Sequence, residues 1–171
     1  MNGSTVGALI VGCALAVGGG IYYAQVYGYY SEVAEPSVTL VRAETGEVEV
    51  IAATDVRAIN AESSPIRYRA CFSTGMSQAE LAETYERYAE PVPLIAPGWF
   101  DCFDAEAVGE ALEEARALAF LSQDNVSFGI DRVVAVDADG NGFVWHQINE
   151  CGREVFDGRA APEGCPPREG N

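Results

Sequence analysis

Small residues recur at every fourth position through the longest apolar run of the chain: Ser4, Ala8, Gly12, Ala16, Gly20, Ala24 and Gly28. From Val6 to Val26 that run carries no charge. It is long enough to cross a bilayer as a helix. Small residues four apart let two helix backbones approach closely. A period of four overshoots the helical turn by about 40° per step, so only part of the stripe can face one partner. Gly12, Ala16 and Gly20 are the predicted contact, with another membrane protein or with a second copy of the chain. Tyr22, Tyr23, Tyr27, Tyr29 and Tyr30 cluster at the downstream end, where amphipathic rings favour the headgroup level. Residues 1–30 therefore read as a single-span anchor and residues 31–37 as a polar linker.

A cleaved signal peptide fits this segment less well. No Lys or Arg precedes Val6, and the small-x-small matches lie inside the apolar run. Ile10-Val11-Gly12-Cys13 loosely resembles a lipoprotein processing site, but the stretch before Cys13 is short and the residues after it stay apolar.

Past the linker, Val38 to Arg42 and Glu47 to Ala53 predict a β-hairpin around Glu44-Thr45-Gly46. In its second strand Glu47 and Glu49 alternate with Val48 and Val50, the period of a half-buried strand. Ile66 to Ser73 predicts a third strand, with Arg67, Arg69 and Cys71 on one face and Ile66, Tyr68, Ala70 and Phe72 on the other. Ser77 followed by Glu80 is a capping box. The helix it opens runs to about Tyr88, with Leu81, Tyr85 and Tyr88 on one face. Pro91, Pro93 and Pro97 impose an irregular crossing. Asp104 caps a longer helix reaching about Leu121, striped by Val108, Ala111, Leu112, Ala115, Leu118 and Ala119. Two late strands, Gly129 to Val136 and Gly142 to Asn149, flank a turn at Asp137 to Asn141. The prediction for residues 38–150 is an α+β domain, a small antiparallel sheet with two helices on one face. Residues 151–171 predict an irregular tail rich in Cys, Pro and Gly.

Charge narrows the function. The chain has 26 acidic and 10 basic residues and a net charge of −16, which argues against nucleic acid or anionic headgroups as partners. Every cation is Arg. The absence of Lys removes P-loop, Schiff-base and Ser-x-x-Lys chemistry. One histidine, His146, cannot supply a His-x-x-x-His or three-His metal site. No cofactor is implied.

Neither flank of the anchor is basic, so the positive-inside rule sets no orientation. The cysteines do. Cys71, Cys102, Cys151 and Cys165 lie outside the anchor, and an even number in a small domain suggests disulfides and an oxidising compartment. Of the three possible pairings, Cys71–Cys102 with Cys151–Cys165 is favoured because each closes a modest loop. The spacings contain no Cys-x-x-Cys, against a zinc or thioredoxin-like centre.

Four constellations invite a chemical reading. Asp137-x-Asp139-x-Asn141-Gly142 opens like a calcium loop, but the position of the bidentate Glu is Ile148, and a hairpin turn explains it better. Gly75-Met76-Ser77-Gln78-Ala79 resembles a nucleophile elbow whose last Gly is replaced, and Ser77 is already used as a cap. Arg67 and Arg69 suit a carboxylate or phosphate ligand, although pairing with Asp or Glu of this domain is the better expectation. Trp99 and His146 are candidate contact residues, against the plainer reading of disulfide packing and a satisfied structural histidine.

Ser64 to Phe72, Ala96 to Phe103, Val144 to Asn149 and Glu163 to Pro167 resemble an uncharacterised family of short, single-anchor alphaproteobacterial membrane proteins, a domain of unknown function. The resemblance runs over nearly the whole length. It implies an inner-membrane anchor with a compact domain outside, and it assigns no catalytic residue. The combined expectation is a non-enzymatic inner-membrane protein with a periplasmic domain, acting as accessory or assembly partner of another membrane protein or as a homodimer. A small-ligand or ion-binding sensor is the second expectation and a small hydrolase the third.

Overall fold

A computed structural model describes residues 2–168. Met1 of the expected anchor and Glu169 to Asn171 of the expected tail lie outside the described residues. The chain forms two compact units that divide between Tyr30 and Ser31.

The first unit is helix α1 (Gly3–Tyr23), continued by a π-helical turn (Ala24–Gly28). Together they make one N-terminal helix of 26 residues, with mean hydropathy 1.9, long and apolar enough to cross a membrane. No residue of α1 is buried. A Cβ added at Gly12 or Gly20 would meet nothing within 4 Å.

The second unit is α+β. Its elements are β1 (Ser31–Glu32), β2 (Thr39–Val41), β3 (Val48–Val50), β4 (Thr54–Asn60), β5 (Arg69–Ser73), α2 (Gln78–Thr84), α3 (Ala105–Glu113), β6 (Ala117–Ser127), β7 (Ile130–Asp137), β8 (Asn141–Ile148) and α4 (Glu150–Phe156). Six strands form one antiparallel sheet in the order β1-β4-β5-β8-β7-β6. The β2–β3 hairpin is a separate two-stranded sheet. Val38, Leu40, Tyr68, Phe72, Leu81, Tyr85, Phe120, Val134 and Val144 form the main core between this hairpin, α2 and the large sheet. On the opposite side of the strands, Phe103 packs edge-on against Phe143 and Trp145, at 6.1 and 6.4 Å.

Several predicted elements change. The expected linker begins as β1, with Ser31 opposite Asn60 and Glu32 opposite Ile59. The strand it joins, β4, carries little sequence pattern. Asp55 takes a positive φ of 52°, and the register shifts between Thr54 and Arg57, which breaks the alternation. In β3 the alternation is inverted. Val48 and Val50 are 56% and 65% exposed, while Glu49 accepts from Tyr85 Oη at 3.1 Å and pairs with Arg42 at 2.8 Å. The expected tail opens as the helix α4, capped by Asn149, whose Oδ1 accepts from Gly152 N at 3.0 Å.

The largest correction concerns the helix expected to reach Leu121. It stops at Glu113, and Leu118 and Ala119 belong to β6. Ala115 N donates to Leu112 O at 3.2 Å and Arg116 N to Ala111 O at 2.8 Å. This pair of bonds is a Schellman ending, with Ala115 at φ 56° where glycine is usual. Helix α2 also ends early. Residues 85–88 run extended, bridging Arg42 with Tyr85 on one side and Arg87 with Phe120 on the other. That segment couples the hairpin to the outer strand β6 and covers its edge.

Candidate functional site

Arg69, His146 and the proline-rich crossing meet at one end of the large sheet. Consecutive pairings place Glu32, Ile59, Arg69 and Trp145 in one row across β1, β4, β5 and β8. Arg69 is 3% exposed. Its Nε donates to Leu94 O at 2.7 Å, Nη1 to Ile66 O and Tyr68 O at 2.8 and 2.6 Å, and Nη2 to Ile95 O at 3.1 Å. The guanidinium also lies over the Phe103 ring, at 5.8 Å. Four backbone carbonyls thus accept from the Arg69 guanidinium. A planar fork can serve four acceptors that a point charge could not. Arg67 precedes β5, so the two arginines do not share a strand face; Arg67 Nη1 donates to Ser63 Oγ at 3.3 Å.

These bonds fix the proline-rich segment, and other groups hold its ends. Gln147 accepts from Val92 N at 2.8 Å and donates to Glu90 O at 2.9 Å. Phe100 N donates to Pro97 O at 2.8 Å. Phe100 is buried beneath the Arg57 guanidinium, and Trp99 is half-buried, edge-on to Phe100 at 6.3 Å. Cys102 is bonded to Cys71 of β5, with a Cα separation of 6.2 Å. The second pair is Cys151–Cys165, at 5.8 Å. Both pairs are those the loop lengths favour. Cys13 of α1 is free.

His146 lies in β8 and is 6% exposed. Its ring stacks on Tyr68 at 4.9 Å. Arg132 Nε is 2.9 Å from His146 Nε2, and Nδ1 is 2.6 Å from Pro65 O. A guanidinium only donates, so Nε2 accepts and Nδ1 carries the hydrogen that Pro65 receives. Burial, together with the nearby Arg132 and Arg69 charges, pushes its pKa down to about 4, against the Pro65 bond. At neutral pH His146 is an uncharged ring with both nitrogens engaged.

The two remaining motifs are local structure. Ser77 Oγ accepts from Glu80 N at 3.2 Å and Ser77 N donates to Glu80 Oε2 at 2.8 Å, a complete capping box. Asp137 Oδ1 accepts from Asp139 N and Asn141 N, both at 2.9 Å, and closes the β7–β8 turn.

An open cleft of about 1010 Å³ runs past Tyr88, Glu90, Asp131, Gln147 and Arg153. Asp131 is 6% exposed. Its Oδ1 accepts from Asn149 Nδ2 at 2.7 Å and Asn125 N at 3.0 Å, and its Oδ2 from Tyr88 Oη at 3.0 Å. Burial raises the Asp131 pKa against these bonds, and burial beside this carboxylate raises that of Tyr88. The only signal in the sequence is one acidic residue at the start of an apolar strand, which alone does not distinguish a buried carboxylate from an exposed one.

The model of a family of unknown function (DUF6446) matches residues 38–166. No curated protein and no solved structure matches the chain.

Proposed function

The chain belongs to this family of unknown function, and from that premise we propose a non-enzymatic protein of the bacterial inner membrane that acts by binding. Its single span holds an acidic, disulfide-bonded domain in the periplasm. The span packs against another membrane protein, as accessory or assembly partner, or against a second copy. Gly12, Ala16 and Gly20 make that contact.

The observation that carries the reading is where the reactive side chains are used. Arg69 is occupied by four carbonyls and His146 by Arg132 and Pro65. Both act as braces for backbone, so the domain presents a fixed surface rather than a poised acid or base. Two disulfides suit an oxidising compartment. The open stripe on α1 suits close helix packing.

Gentle detergent extraction of the tagged chain, with identification of what co-purifies, tests this. A stoichiometric membrane partner or self-association, lost in Gly12→Leu/Ala16→Leu/Gly20→Leu, supports it. Association untouched by those changes contradicts it.

The cleft above Asp131 favours a second reading, a sensor of a small ligand or ion. A thermal-shift screen with calcium and small metabolites tests that reading. Binding raises the melting temperature by mass action, and no shift across the screen contradicts it.

A further inference from the structure

We propose that the segment from Pro91 to Trp99 rests on a lipid surface and makes a second, interfacial membrane contact in addition to the apolar helix. This rests on the reading that the apolar helix spans a bilayer.

Pro91-Val92-Pro93-Leu94-Ile95-Ala96-Pro97-Gly98-Trp99 carries no charge, in a chain of net charge −16. Ile95 is 84% exposed and Val92 54%. Exposed aliphatic side chains grouped in an uncharged segment mark an interaction site. Three prolines and the Arg69 and Gln147 bonds hold the segment in one shape. A shape fixed beforehand avoids the ordering cost of docking.

Chain connectivity identifies the partner. The apolar helix ends at Gly28, and only Tyr29 and Tyr30 precede Ser31 of β1. Three peptide steps span at most about 11 Å. Ser31 pairs with Asn60, and the neighbouring Ile59 pairs with Arg69. Strands lie about 4.8 Å apart, so Arg69 is two strand spacings from the point where the chain arrives. Arg69 holds the carbonyls of Leu94 and Ile95. The exposed apolar segment is therefore held at the end of the sheet where the chain enters from the apolar helix. Tryptophan favours the headgroup level, as the tyrosines after the apolar run do. An uncharged segment needs no anionic lipid, so a zwitterionic surface is sufficient.

Tryptophan emission of the full chain tests the contact. The only tryptophans are Trp99 and Trp145, and Trp145 is fully buried in the sheet core. The chain is placed in phosphatidylcholine nanodiscs with and without acyl-chain bromines. The proposal expects bromolipid to remove about half of the Trp99 contribution, with the quenching absent in Trp99→Phe and unchanged by salt. A fluorophore on Ile95→Cys, in a Cys13→Ser background, is expected to be quenched too, and one on Asp139→Cys is not. Equal emission with and without bromine, from a chain that co-migrates with the discs, overturns this proposal alone. A chain that does not enter the discs overturns the anchor reading and this proposal together.

Discussion

Arg132 donates through Nε to His146 Nε2 at 2.9 Å, which fixes the imidazole as a neutral Nδ1–H donor to Pro65 O. The His146 pKa is pushed from an ordinary 6.5 down to about 4. A depressed histidine binds its proton later in the folded chain than in the unfolded one. Its contribution to stability is therefore complete above pH 6.5 and is lost as pH falls toward and through about 4. The loss is of order 3 kcal/mol. Urea melts across this window are expected to show a steeper fall for the wild type than for His146→Gln. Parallel pH profiles contradict the assignment.

Ala115 holds a left-handed backbone that costs an alanine about 1 kcal/mol relative to glycine. Ala115→Gly is expected to raise the melting temperature, by roughly 0.5–1 kcal/mol of stability. An unchanged or lower melting temperature contradicts the Schellman ending of α3.

The hairpin, the Ser77 capping box, the β7–β8 pair and both cysteine pairings were legible because each is a local signal. They rest on a turn between alternating residues, a cap three residues from its partner, or a short loop between cysteines. Ala115 shows where such signals end. The glycine that would announce a helix stop is absent, and the alanines and leucines on both sides continue a helical stripe into β6. Asp55 likewise hides β4, because the bulge it creates breaks the alternation. Glu49 and Val50 exchange expected roles because Tyr85 and Arg42 supply polar partners from distant parts of the chain. Arg69 and Asp131 depend on contacts of the same long range. Residue type marked Arg69 as able to bind an anion, and no spacing encodes the four backbone carbonyls that it holds.

Arg69→Met removes the four donors and leaves carbonyls in a largely dry setting. The expected cost is about 3 kcal/mol. Limited proteolysis should also cut faster between Pro91 and Trp99, because Leu94 and Ile95 lose their hold. Stability lost with no change in cleavage there would contradict the bracing role.

Gly129 and Gly152 meet backbone to backbone. A Cβ on Gly129 would come within 2.5 Å of Gly152 Cα, and Gly129 has a φ of 76°. Gly129→Ala is expected to destabilise by about 2 kcal/mol or more, through strain and overlap together. Gly98→Ala, where nothing lies within 4 Å of the added carbon, is expected to leave denaturant melts within about 0.5 kcal/mol of wild type. Equal effects contradict the close approach of α4 to the β6–β7 turn.

The cysteine pair Cys71–Cys102 closes a separation of 31 residues and Cys151–Cys165 one of 14. Replacing each pair by Ala is expected to cost about 3–4 kcal/mol by the chain-entropy account, slightly more for the first. Denaturant melts of the two variants measure the difference. A larger loss at Cys151–Cys165 contradicts that ordering.

The proposed function makes the anchor helix a binding element. Native electrophoresis of membranes extracted in mild detergent, comparing wild type with Gly12→Leu/Ala16→Leu/Gly20→Leu, tests it most directly. The account predicts a wild-type complex larger than the 18.2 kDa chain that collapses in the variant while the chain stays in the membrane. A complex of the same size in both, or a lone chain in the wild type, would contradict it.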